Sequence, residues 1–200
     1  MAAVLVLGLS ASTKKANAQD GAFGEGKIAI SVGYGFPNLG KSLMKVYEDE
    51  VGYDAYGLGP AHFKFEYGLS DKIGFGLTVN YVDFGAEFTH EGLDPITWAI
   101  TTYQDKIGFS SISFLARMNI HFGTTEKLDP YWGVGAGYRT GTWKFESTEP
   151  GYSLGTYKTV IPFGFETTVG MRYYVVDPIA LYIELGIAKS LLQAGITIGL

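Results

Sequence analysis

The sequence predicts an all-β chain, an eight-stranded antiparallel up-and-down transmembrane β-barrel. Three observations carry that prediction. Apolar residues recur at every second position in about eight segments, the period of a strand with two unlike faces. The links between segments alternate between long and short, as in a barrel whose short turns all lie at one end. Charged residues inside the segments share a face with glycine, and the opposite face is Ile, Leu, Val, Phe and Tyr.

In chain order, Lys27 to Phe36 places Ile28, Ile30, Val32, Tyr34 and Phe36 on one face, and Pro37 ends it. Asn38 to Gly59 is polar and acidic and reads as a long loop. Ala61 to Leu69 alternates Phe63, Phe65 and Tyr67 against His62, Lys64 and Glu66, and turns at Ser70-Asp71. Ile73 to Tyr81 follows, then a second long loop from Val82 to Lys106 rich in Asp and Glu. Ser111 to Phe122 sets Arg117, Asn119 and His121 against Phe114, Met118 and Ile120. A turn over Gly123 to Pro130 leads to the strand Tyr131 to Trp143, and a third loop spans Lys144 to Thr159. Ile161 to Tyr174 carries Glu166 and Arg172 on its small face. Asp177-Pro178 turns the chain into a closing hairpin, Ile179 to Leu200, linked only by Lys189-Ser190.

Composition agrees. The 200 residues include 28 Gly, 14 Tyr and 13 Phe with only 18% charged, a glycine- and aromatic-rich profile that suits strands. The absence of cysteine excludes disulfides and thiolate metal sites. A net charge of -5 argues against nucleic acid as a partner. No apolar run is long enough for a transmembrane helix. The first 18 residues read as a signal peptide, with an apolar core Ala2 to Leu9 and a small-x-small site Ala16-Asn17-Ala18. Lys14 and Lys15 follow that core instead of preceding it, so the true start of the signal is expected upstream. Residues 19–200 are then the barrel domain.

Which face meets lipid follows from volume and height. An eight-stranded barrel has an interior just wide enough for side chains. Five bulky residues per strand cannot fit there, whereas Gly, Ala, Ser and a few long polar chains can. Nine residues at ~3.3 Å rise span ~30 Å, or ~23 Å when tilted, which matches the ~25 Å apolar band of a membrane barrel. The interior is therefore expected to hold a polar network of Lys64, Glu66, Arg117, His121, Arg139, Glu166, Arg172 and Glu184. Buried charges need partners, so a salt-bridged plug is the expected role, with an ion path as the alternative. Tyr34, Tyr67, Tyr81, Trp132 and Tyr173 are placed at the two lipid–water interfaces, where amphipathic rings collect.

The segments PYWGVGAGYR (Pro130 to Arg139), TTVGMRYYVVDPIALYIELGIAKS (Thr167 to Ser190) and the closing GITIGL resemble the small eight-stranded outer-membrane β-barrel proteins of the OmpA/OmpX-like class, particularly the versions common in Bacteroidota. The resemblance implies insertion into a Gram-negative outer membrane by the barrel assembly machinery, termini on the periplasmic side, and lipid contacts that include lipopolysaccharide. It implies no enzymatic activity for most members. Leu200 departs from the aromatic last residue that many such barrels carry.

Other chemistry is sparse. His62, His90 and His121 show no His-x-x-x-His pair, and no cofactor or metal is expected. Gly133-Val134-Gly135 lies within a strand and opens no helix, so it is not a phosphate loop. Glu48-Asp49-Glu50 lacks a calcium-loop pattern. The expected role is structural or surface-interacting through the long loops, as a monomer, with the loop ligand open. The alternatives are a lipid A-modifying enzyme, a narrow pore, and a soluble carrier with its apolar face inside.

Overall fold

The computed structural model describes residues 22–152 and 155–200. The expected signal segment, residues 1–18, lies outside the described residues. The described strands are β1 (Ile28–Phe36), β2 (Val51–Tyr56), β3 (Ala61–Gly68), β4 (Ile73–Leu93), β5 (Ile100–His121), β6 (Leu128–Arg139), β7 (Thr142–Ser147), β8 (Thr156–Lys158), β9 (Phe163–Val176), β10 (Ile179–Ile187) and β11 (Leu192–Gly199). A short helix α1 (Leu39–Leu43) and a 3-10 turn (Met44–Tyr47) lie between β1 and β2. Eight strands are the staves of a closed antiparallel barrel: β1, β3, β4, β5, β6, β9, β10 and β11. The ring closes between β1 and β11, from Ala29 opposite Gly199 to Phe36 opposite Leu192. Ile28 and Leu200 exchange both backbone hydrogen bonds at 2.8 Å, so the last residue is tied to the first stave. Closure removes the unpaired edges that a hydrocarbon phase could not satisfy.

Burial follows the pleat. On β3, His62, Lys64 and Glu66 are buried while Phe63, Phe65 and Tyr67 are exposed. On β10, Ala180, Tyr182 and Glu184 are buried while Leu181, Ile183 and Leu185 are exposed. The soluble-carrier alternative required the reverse. Polar, small and charged side chains inside and aliphatic or aromatic ones outside are the arrangement of a membrane-spanning barrel. No helix among the described residues is long and apolar enough to cross a membrane.

Glycine keeps the narrow lumen open to its few large residues. Tyr182, Gly195 and Gly33 form one rung across three staves, and the buried Tyr182 ring lies over both glycines. A Cβ on Gly33 would stand 2.1 Å from the Tyr182 hydroxyl. Gly33→Val is therefore expected to prevent the compact barrel from forming. Refolding in detergent, followed by gel migration without boiling, checks this; a wild-type yield of the unboiled folded band would contradict the packing described.

All three long loops expected from sequence carry strands instead. β4 and β5 continue unbroken past the barrel, pairing from Ile73 opposite Ile120 to Leu93 opposite Ile100. Only residues 94–99 link them. Asp94 caps this link by accepting from the backbone N–H groups of Thr97 and Ile96, at 2.9 and 2.8 Å, and these bonds hold its carboxyl below the usual range. β2 adds to the projecting part of β4, β7 to that of β5, and β8 to β7. The result is a five-stranded sheet, β2-β4-β5-β7-β8, standing beyond one end of the barrel. Trp143, expected at the end of a stave, lies in β7 and packs against Phe84 and Phe109. Met44, Val82, Phe84 and Ala86 form a small core there under α1.

Candidate functional site

Two features are candidates: the charged lumen and the projecting sheet. The lumen network has two tiers. In the first, Glu184 of β10 is the hub. It pairs with Lys64 at 2.6 Å and Arg117 at 3.2 Å, and accepts hydrogen bonds from the Tyr131 hydroxyl and the Thr168 hydroxyl, each at 2.8 Å. Arg117 also reaches Glu166 at 2.7 Å and donates to Asn119 and Thr168. Asn80 donates to Glu166 at 3.1 Å, and Lys64 to Gln193 at 2.8 Å. Staves β3, β4, β5, β6, β9, β10 and β11 are thus cross-linked through one set of buried polar groups.

The second tier lies toward the short turns. Arg172 pairs with Glu66, and with Asp129 at 3.2 Å, and its guanidinium lies 4.6 Å from the centre of the Tyr131 ring. His121 stands between the same two carboxylates, Nε2 at 2.8 Å from Glu66 and Nδ1 at 2.6 Å from Asp129. Both ring nitrogens face acceptors, so the geometry is that of an imidazolium donating twice. With His121 charged, four cations face four carboxylates across the two tiers. Glu66, Asp129 and His121 are donor types found around metals, but the Arg172 guanidinium already occupies both carboxylates. Phe23, from the segment before β1, stacks on the His121 ring with centroids 3.4 Å apart and planes 5° apart. It covers the network at that end.

At the opposite end the Lys189-Ser190 turn folds inward. Lys189 Nζ donates to Ser111 Oγ at 2.6 Å and to its carbonyl at 3.2 Å, joining the β10–β11 turn to β5. Burial, and after it the Arg139 guanidinium, push the Lys189 ammonium down to about 8. Ser190 Oγ is 3.3 Å from His62 Nε2, and His62 Nδ1 is 2.7 Å from Asn80 Oδ1. Serine, histidine and an orienting amide are the components of a nucleophile relay. Here Ser190 is only 1% exposed, so no substrate reaches it, and the contact serves to tie the turn to the wall.

Seven of the eight residues assigned to the lumen are brought together there: Lys64, Glu66, Arg117, His121, Glu166, Arg172 and Glu184. Arg139 is the correction. It has the right parity on β6 but is the last residue of that stave, exposed at the rim where the lumen opens. Asp129 and Tyr131 belong to the network and were missed. Asp129 precedes a proline and reads as turn, although β6 begins at Leu128 and buries it fully. Tyr131 starts the alternation Tyr131, Gly133, Gly135, and that parity was the available signal. Tyr34, Tyr67, Tyr81, Trp132 and Tyr173 all point outward, between 38% and 51% exposed.

No protein-family model and no curated protein sequence matches this chain. Several solved structures are similar to it in shape. The attachment invasion locus protein Ail of Yersinia pestis, in complex with the heparin analogue sucrose octasulfate, is 13% identical with a TM-score of 0.41 over 88% of this chain and 95% of that one. Ail alone gives 12% identity and a TM-score of 0.36 over the same shares. The N-terminal β-barrel domain of Pseudomonas aeruginosa OprF gives 15% and 0.35 over 88% of this chain and 98% of that one. The case for a membrane barrel rests on this chain's own two faces.

Proposed function

We propose that this protein is an integral outer-membrane barrel of the OmpA/OmpX-like class, of the kind common in Bacteroidota, with a closed lumen and a surface-interaction role. The observation that carries the reading is the inversion of the barrel, apolar outside and ion-paired inside, with a folded sheet projecting beyond one end. Lipids including lipopolysaccharide surround the band, and the barrel assembly machinery inserts it. The termini and short turns lie in the periplasm, and the projecting sheet lies outside the cell as the part that meets ligands. A lumen filled by paired charges, covered by Phe23 at one end and by Lys189-Ser190 at the other, supports a plug over a pore. A network that spends His121 and its four carboxylates on paired charges supports a non-enzymatic protein, and we read it as a monomer.

The projecting segments 37–60, 82–110 and 140–162 hold eleven Asp and Glu against five Lys, a net charge of -6. A polyanion such as the sucrose octasulfate named for Ail is therefore an unsuitable ligand for this chain. Outer-membrane fractions run on a detergent gel with and without boiling test the architecture. The unboiled protein is expected to migrate apart from the boiled form. Recovery in the soluble periplasm without detergent would overturn the reading, and steady conductance in planar bilayers would overturn the plug.

A further inference from the structure

The lumen-facing side of the long staves changes character above the barrel. On β4 and β5 the positions of Thr78, Asn80, Ser111 and Ser113 are polar and buried. The next rungs on that face, read from the pairing, are Phe84, Phe109, Trp143 and Tyr157, then Ala86, Ile107 and Phe145. They are apolar although no lipid lies there. The following rungs are Phe88 with Asp105, then His90 with Tyr103. An apolar wall two rungs high thus stands between the polar lumen below and a charged rim above.

The first loop covers only part of that wall. Met44 is buried against it, and Tyr47 stacks on Phe88 at 4.8 Å. Leu43 and Val46 face an open cleft of about 580 Å³ whose other side is Ile107, Trp143, Phe145 and Tyr157. Leu43, Val46 and Tyr157 are 64%, 75% and 60% exposed. A volume of this size between two apolar walls is that of a ligand site. Such surface is costly to leave in water and marks an interaction site.

Charge decides the occupant. Directly after the 3-10 turn, Glu48, Asp49 and Glu50 are all exposed. At the charged rungs, Asp105 and Glu149 flank His90 at 2.8 and 3.4 Å. The cleft lining is apolar; its acidic rim is Glu48 to Glu50, which follow its Tyr47 in the chain, and Asp105, one rung beyond Ile107 and Phe145, on a projection of net charge -6. A second copy of this chain would bring the same acidic rim against itself, and an anionic lipid would meet it with like charge. We propose that the cleft binds a cationic amphipathic peptide, its aliphatic side chains between Val46 and Phe145 and its lysines or arginines on the acidic rim. Helix-in-groove recognition has this form. The proposal rests on the reading of the sheet as the ligand-facing part of the barrel.

The experiment uses the full barrel in nanodiscs of zwitterionic lipid. The probe is a dye-labelled synthetic amphipathic peptide of leucine and lysine, and the control is the same pattern with glutamate for lysine. Empty discs set the baseline. The expected result is saturable binding of the lysine peptide alone, weakening as salt is raised. Leu43→Asn with Val46→Asn, both at exposed positions, is expected to weaken it about tenfold or more, because apolar contact is lost. Glu48→Gln, Asp49→Asn and Glu50→Gln together are expected to weaken it and flatten its salt dependence. Equal binding of both peptides, an unchanged affinity in the Leu43/Val46 variant, or no signal above empty discs would overturn the proposal. Each protein is also run unboiled on a gel. A heat-shifted band with no binding removes the cleft and leaves the barrel standing, whereas a missing band in the wild type removes the barrel reading itself.

Discussion

Glu184→Ala is expected to cost the barrel roughly 3–5 kcal/mol, the usual consequence of leaving buried charge without its partner. Glu184 is almost wholly buried and receives Lys64, Arg117, the Tyr131 hydroxyl and the Thr168 hydroxyl. Alanine leaves Lys64 with Gln193 and the face of the Tyr182 ring but no paired carboxylate, and puts the whole of the Arg117 charge on Glu166. Glu184→Gln, which keeps one acceptor and removes the charge, is expected to fall between alanine and wild type. Replacing Lys64, Arg117, Glu166 and Glu184 together by apolar residues of similar volume is expected to cost less than the single alanine, because paired charges barely repay their own desolvation. The denaturant midpoint at which the unboiled band is lost measures all three. A midpoint for Glu184→Ala equal to wild type would mean that the network contributes nothing to holding the staves together.

The lumen was legible because strand parity is strict. Once Lys64 and Glu66 share a face with His62, a one-residue slip would put all of them into lipid, so side-chain type fixes register. Parity does not give height. Arg139 obeys the alternation of Tyr131, Gly133 and Gly135 but lies where the wall ends. Asp129 failed for the opposite reason. Pro130 is a poor strand residue, and the turn signal of Gly123-Thr124-Thr125 masked a stave that begins two residues before the proline. The projecting sheet was hidden by its surroundings. Period two continues through Val82, Phe84, Ala86 and Phe88, but the alternate positions, Asp83 and Glu87, meet water where the barrel below meets lipid. Acidic residues on a solvated strand face look like a loop when the strand is assumed to stop at the membrane. The cleft on that sheet required tertiary information: Leu43 and Tyr157 are 114 positions apart in sequence, and only the pairing of β5 with β7, and of β7 with β8, brings them to one side.

Ile183→Arg gives the most direct physical test of what surrounds the barrel. Ile183 is the middle residue of β10 and points outward at 40% exposure, between Leu181 and Leu185 at 54% and 59%. In a protein surrounded by water, an arginine at such a position changes stability by about 0.5 kcal/mol at most. At the midplane of a bilayer it costs roughly 2–4 kcal/mol, because the guanidinium must shed water or thin the membrane around it. Ile187→Arg supplies the internal control. Ile187 ends the same strand on the same face, at 67% exposure, where the cost is expected to fall to about 0–1 kcal/mol. The two substitutions are chemically identical, sit on one strand and differ only in depth. Unfolding of each variant in lipid vesicles should therefore show a large loss at 183 and a small one at 187. Equal losses would point to local strand disruption, and no loss at either position would place the aliphatic face in water. The contrast depends on the solvent alone, since neither side chain touches the Glu184 network on the other face of the same strand.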